Sequence, residues 1–290
     1  MPIFKIKNKK AVQVGLNISH FNNEAELRDF FSENLESLLG MRFLAKEFQT
    51  TDGRIDTLAL DESCSPVIIE YKWGQDNAIV VQGLFYYDWL IKNKRHFDLY
   101  VADKLGKDVK VRWDNPRVIL ISQGFDNRTI AAVQQIENIE LIKYIPYDNG
   151  LLYLENVYSS RTVKKNKEKN DMVVSGVAYN FDYHLGSVGV DVKEVFRKLR
   201  EKIMSLPGVE EIVDQKTGIT YRTTKSFVRF EFGKSYIKVL LREPSYNDPN
   251  SLVQDITSYM YGYRGQVKIK TQEEVDVIFD LVRQSYESTL

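Results

Sequence analysis

The chain has 290 residues, with 40 Lys and Arg against 40 Asp and Glu, 43% apolar and 12% aromatic residues and a single cysteine. That length is generous for one core and leads to two domains, while the cancelled charge excludes a whole-chain field toward nucleic acid or membrane, leaving only local patches. Cys64 alone excludes an internal disulfide and a cysteine-based zinc cluster. No run reaches the roughly 18 apolar residues that span a bilayer.

The charged start, MPIFKIKNKK, has no apolar stretch behind it, so a soluble protein of the reducing cytoplasm is expected. Residues 22–39 then place Leu27, Phe30, Phe31, Leu35 and Leu38 on one helical stripe, with Asn22 or Asn23 as cap and Gly40 as the terminating residue. Strands follow at MRFLAKEF, at RIDTLAL after a TTDG turn, and at PVIIEYK after DESCS. The spacing predicts helices over 76–93, 97–105 and 127–136, with buried strands at PRVILISQ and IELIKYIPY. A mixed sheet flanked by helices is expected for residues 1–155.

Residues 158–172 lose their apolar content and gather lysines, giving a basic linker over 156–179 that is either simply solvated or an arm for nucleic acid. A second, smaller α+β domain is predicted over 180–290. It opens with the amphipathic VKEVFRKLREKIMSL, in which Val192, Val195, Phe196, Leu199 and Ile203 face inward. Val228, Phe230 and Phe232 then alternate with Ile237, Val239 and Leu241 across a GKS turn, and a helix capped by Thr271 closes the chain. The opposite side of these strands, with Arg222, Arg229, Lys234, Tyr236 and Lys238, reads as an outer face, either solvated or holding nucleic acid.

One stretch departs from this apolar logic. PVIIEYK carries Glu70 and Lys72 on one face of a strand that should be buried, and the preceding strand carries Asp56. An uncompensated carboxylate there is costly, whereas Asp56 and Glu70 together offer the hard oxygens that a divalent cation prefers, with the main-chain carbonyl of Tyr71 as a further ligand. Lys72 beside them would orient a water or stabilise a charged phosphate, and Arg54 would hold a neighbouring phosphate.

GRID followed by EYK resembles the D-x(n)-E-x-K signature of the PD-(D/E)XK nuclease superfamily, nearest to its NucS-type branch. Glu24, at the start of the preceding helix, matches an acidic position of that superfamily able to reach the metal. Gln82 and Tyr86, one helical turn apart, match its Q-x-x-x-Y element, and Glu47 matches an acidic position of the branch. The resemblance covers residues 22–95, with looser support to 155. It implies a restriction-endonuclease-like αβββαβ core, Mg²⁺ or Mn²⁺ as cofactor, and DNA as the partner. Two departures stand out: some twenty residues replace the N-terminal DNA-binding domain of NucS, and Ile55 replaces the customary proline. The second half resembles DUF5655, a domain of unknown function found behind nuclease-like regions, and is expected to hold substrate, a partner or a second protomer in a homodimer.

Other readings stay beside these. Glu24 also suits a helix start through the macrodipole, Gln82 and Tyr86 suit surface and core, and Trp73 either stacks a base or packs. His20, His96 and His184 share no zinc-like spacing, Cys64 has no nearby histidine, and no phosphate loop occurs. The rival to a nuclease is a non-catalytic module that keeps the fold and binds nucleic acid or protein.

Overall fold

The computed structural model describes residues 3–17, 20–159, 179–213, 216–257 and 262–290. Most of the stretch predicted as a basic linker lies outside the described residues. Its first four residues, 156–159, are strand.

A short hairpin comes first, β1 (Ile3–Lys7) and β2 (Lys10–Val14), and was not anticipated from the sequence. Next come α1 (Glu24–Glu33) and α2 (Leu35–Leu39), one predicted helix broken at Asn34. Asn23 caps α1 through the Glu26 amide, and Gly40 closes α2 at φ +69°. Three antiparallel strands follow, β3 (Arg42–Gln49), β4 (Arg54–Leu60) and β5 (Pro66–Lys72), then α3 (Ala78–Lys92) and α4 (Lys94–Leu105). The chain returns as β6 (Arg117–Ser122) parallel to β5, passes through α5 (Asn127–Val133), and adds β7 (Ile139–Tyr147) parallel to β6. Strand β8 (Leu151–Ser159) pairs antiparallel with β7.

The result is a six-stranded mixed sheet in the order β3-β4-β5-β6-β7-β8, containing the expected αβββαβ succession. Both faces are covered, which is why β5 and β6 are apolar without alternation. Phe31, Leu35 and Leu39 meet Val67, Ile69 and Tyr71 on one face, while Ile79, Leu90, Phe97 and Val101 meet Leu58, Ile68 and Leu120 on the other.

The second half has α6 (Phe181–Leu185), α7 (Val190–Met204), β9 (Glu210–Ile212), β10 (Ile219–Arg222), β11 (Ser226–Phe232), β12 (Ile237–Leu241), β13 (Gln254–Asp255), β14 (Gly265–Ile269) and α8 (Val275–Glu287). Its sheet is wholly antiparallel, in the order β13-β14-β12-β11-β10-β9. Val195, Phe196, Leu199 and Ile203 of α7 and Ile278, Leu281 and Val282 of α8 pack on Val228, Phe230, Ile237 and Val239.

The opposite side of that sheet is not an outer face. It lies against the first half, so the reading of Arg222 and Arg229 as exposed nucleic-acid contacts is corrected: both are buried, Arg229 completely. A run of alternating charges crosses between the sheets. Arg117 pairs with Asp61 of the β4–β5 turn and with Glu140 at 3.1 Å; Glu140 takes Arg222 at 3.0 Å, and Arg222 takes Glu210 at 3.1 Å. Beside this run Arg229 donates to Ser63 of the same turn and to Thr220, and stacks over Tyr263, while Ser226 donates to Glu62 at 2.6 Å. Gly262 is required here, because a Cβ on it would sit 2.3 Å from the Cβ of Glu62. Lys238 is half-buried and pairs across the ladder with Glu231 at 2.9 Å.

Candidate active site

The site forms where two strands part. The β4–β5 ladder runs Leu60↔Pro66 to Thr57↔Ile69. One more step sets Asp56 opposite Glu70, and there side chains take over from main-chain pairing. The Asp56 amide donates to Glu70 Oε1 at 3.2 Å, and the Tyr71 amide donates to Asp56 Oδ2 at 3.2 Å. Each carboxylate therefore takes a main-chain donor of the other's strand, which fixes both where the sheet opens.

Glu70 is fully buried and Asp56 nearly so. Burial, then the Asp56 charge, pushes the Glu70 carboxyl up to about 9, and burial also raises Asp56. Burial and the neighbouring negative charge both disfavour a second anion here, so the pair favours a protonated Glu70. Gln82 of α3 donates to Glu70 Oε2 at 2.7 Å. Gln82 therefore joins the carboxylate pair.

Lys72 ends β5, where its ammonium is bound by both oxygens of Glu24 at 3.0 and 3.1 Å. Lys72 and Glu24 act on Asp56 through space, with opposite signs. Four of the predicted residues thus form one cluster, with Gln82 attached. Tyr86 is buried one turn along α3 and does not touch the carboxylates; its hydroxyl accepts the Arg54 amide at 3.0 Å. It braces the turn that leads into Asp56, and Gly53 permits this, because a Cβ there would lie 2.6 Å from that hydroxyl.

Glu47 has a left-handed backbone, φ +52°, and is gripped by Arg28 at 2.9 Å and Arg54 at 2.8 Å. Arg54 is half-exposed, with its guanidinium on Glu47. Trp73 donates from its indole to the Phe21 carbonyl at 2.6 Å and accepts Tyr144 at its own carbonyl, so its polar edge is used in packing although its ring is 43% exposed. Sequence reasoning missed Phe21 and Tyr144, which hold the chain just beyond Lys72, and Arg28; none carries a local signal, because each acts from a distant segment.

The donor set suits a hard divalent cation: two adjoining carboxyls, both raised by burial, would both ionise if a cation offset their charge. Among the described residues no group of three or more His, Cys, Asp or Glu is placed to hold a metal. An ion here would rest on Asp56 and Glu70, completed by main-chain, water or ligand oxygens. The Tyr71 amide, for its part, is committed to Asp56.

The raised Glu70 carboxyl has a consequence for stability. Because the folded form binds this proton more tightly than the unfolded chain does, its contribution is complete below the ordinary carboxylate range and is lost as pH rises toward 9. In EDTA at pH 8, Glu70→Gln should therefore melt higher than the parent by about 3 °C or more, with a flatter dependence of Tm on pH between 5 and 9. An unchanged or lowered Tm would contradict the raised, buried Glu70 carboxyl.

Comparison with family models finds no match. An uncharacterized protein of Haemophilus influenzae (strain ATCC 51907 / DSM 11121 / KW20 / Rd) is 26% identical over 301 aligned positions, covering 98% of this chain and 99% of its own. Among solved structures, a repair endonuclease from Pyrococcus abyssi is similar over 43% of this chain and 48% of its own, at 20% identity and a TM-score of 0.30. The structure of an EndoMS–dsDNA complex is similar over 47% of this chain and 61% of its own, at 13% identity and a TM-score of 0.26. The chain spans about half the length of the first and under two thirds of the second.

Proposed function

We propose that the chain is a divalent-metal-dependent nuclease of the PD-(D/E)XK type that hydrolyses phosphodiester bonds, as an endonuclease on DNA. The observation that carries this reading is the meeting of Asp56 and Glu70 at the point where β4 and β5 separate, with Lys72 beside them. Mg²⁺ or Mn²⁺ held by Asp56 and Glu70 would supply charge relief at the phosphate and a more acidic water.

The chain's own residues do the rest. Gln82 keeps Glu70 in the orientation in which both of its oxygens are committed. Glu24 holds the Lys72 ammonium at the mouth of the pair, from where it orients a water or meets the charge that builds on phosphate oxygens. Arg54 is placed to take a flanking phosphate when it leaves Glu47. In the net reaction the water oxygen bonds to phosphorus as the bond from phosphorus to the ester oxygen breaks; the attacking water gives up a proton and the leaving oxygen takes one from solvent, ending as a hydroxyl.

In this reading residues 1–155 form the nuclease domain, and residues 180–290 a DUF5655-like accessory domain, in a cytoplasmic protein. A second reading draws on one contact: with Lys72 clamped by both Glu24 oxygens, the same fold could serve as a non-catalytic binding module. Labelled duplex, mismatched, branched and single-stranded DNA, with RNA counterparts, offered with Mg²⁺ and with Mn²⁺, should give metal-dependent products that EDTA suppresses. Tight binding without cleavage of any of them would favour the module.

A further inference from the structure

The β1–β2 hairpin takes part in neither core. It holds Lys5, Lys7, Lys9 and Lys10 and no acidic residue, in a chain whose net charge is +0. All four lysines are exposed, and none forms an ion pair among the described residues. Lys7 stands directly across from Lys10, a like-charge pairing that costs stability. Asn8 and Lys9 form the turn at φ +50° and +61°, so a lysine occupies a left-handed position that glycine ordinarily fills. Three ammonium groups are thus gathered at the tip of a ribbon, with no anion beside them among the described residues.

The ribbon's other side is equally unsatisfied. Phe4 is 53% and Ile6 85% exposed, and an isolated two-stranded hairpin is marginal in water. It is nevertheless anchored at its base. Leu16 bridges Tyr147, the Asp148 amide donates to the Gly15 carbonyl at 2.8 Å, and the Asn17 amide to the Pro146 carbonyl at 3.0 Å. Tyr147 ends β7. Because β5, β6 and β7 run parallel, with Lys72 in register with Ser122 and Ser122 with Lys143, the ribbon rises from the same end of the sheet as Lys72, that of the strands' C-termini. A groove of about 610 Å³ lies between, lined by Val14, Leu16, Gln123, Lys143 and Tyr144. Tyr144 reaches the Trp73 carbonyl, one residue past Lys72.

We propose that the β1–β2 hairpin is a ribbon for binding duplex DNA, with the lysine tip on phosphates flanking the bond that the candidate site would cut. The inference rests on the nuclease reading for its placement and on charge complementarity for its partner. A two-stranded ribbon fits the B-form major groove, about 12 Å wide, where Phe4 and Ile6 would meet thymine methyls and sugars. The deep, narrow major groove of an RNA duplex does not admit it.

The test uses the full chain in EDTA, so that binding is read without cleavage. Anisotropy of a labelled DNA duplex is measured between about 50 and 200 mM salt for the parent and for the combined Lys7→Gln, Lys9→Gln, Lys10→Gln variant. A matching thermal melt shows that the body is intact. The variant should bind about ten-fold or more weakly at 100 mM salt, with the slope of log affinity against log salt shallower by about 2.7, since each of the three lost phosphate contacts removes about 0.9. A labelled RNA duplex should bind no more tightly to the parent than to the variant. Equal affinity and slope for the two proteins on DNA would overturn the proposal, as would a dimer that dissociates with Phe4→Ser and Ile6→Ser, which would make a second copy the occupant. Failure of the nuclease reading would instead register as absent cleavage in Mn²⁺ by a parent that still binds through its hairpin.

Discussion

Asp56→Ala should abolish Mn²⁺ uptake, measured by calorimetry, and lower the cleavage rate by about a thousand-fold or more. The substitution removes one of the two hard-oxygen side chains at the fork of β4 and β5, and Glu70 alone, hydrogen-bonded to Gln82 and the residue-56 amide, has little capacity left for an ion. The variant should stay folded in EDTA, because losing the Asp56 charge relieves the repulsion that helps to raise Glu70. Lys72→Ala should separate the roles: Mn²⁺ is still taken up, but cleavage falls by about a hundred-fold as the positioned ammonium is lost. An Asp56→Ala protein that cuts as the parent does would end the metal-site reading.

Arg229→Met should destabilise the protein by about 3–5 kcal/mol, the usual cost of removing one partner from a buried charge network. Its guanidinium is fully buried, donates to Ser63 and Thr220, and lies 5.0 Å from the centre of the Tyr263 ring. Without it, Asp61 and Glu62 lose a nearby cation that their own burial makes necessary. A thermal melt should fall by about 10 °C. Lys238→Ala, by contrast, removes a part-exposed ladder pair with Glu231 and should stay within about 0.5 kcal/mol of the parent. If Arg229→Met melts normally and instead weakens DNA binding, the corrected placement of this residue is wrong.

The first sheet was legible because its strands are short apolar runs between strong turn signals: RIDTLAL, PVIIEYK and IELIKYIPY match β4, β5 and β7 residue for residue. Asp56, Glu70 and Lys72 could be singled out for a related reason, since charge inside such runs demands a partner. Glu140 in β7 finds one in Arg117 and Arg222, whereas Asp56 and Glu70 are set opposite each other. Other features lay beyond local pattern. The break at Asn34 interrupts an apolar stripe that runs unbroken through the sequence. Strand β8 is mostly half-exposed and lacks clean alternation, and β13 has two residues. Arg222 and Arg229 were assigned to the correct side of their sheet, but whether that side meets water or another sheet depends on residues 82 positions away for Arg222 and 166 for Arg229. Tyr86 shows the same limit: helical spacing places it with Gln82, yet only the fold reveals that it holds the Arg54 amide.

The DESCS turn joins the two strands that present Asp56 and Glu70, and Ser226, Arg229 and Gly262 seize that same turn. Recombination could not readily swap one half for a foreign one, because the newcomer would have to reproduce a complementary set of hydroxyl, guanidinium and bare backbone opposite Glu62 and Ser63. A change at positions 61–63 should therefore be tolerated only with a compatible change at 226, 229 or 262.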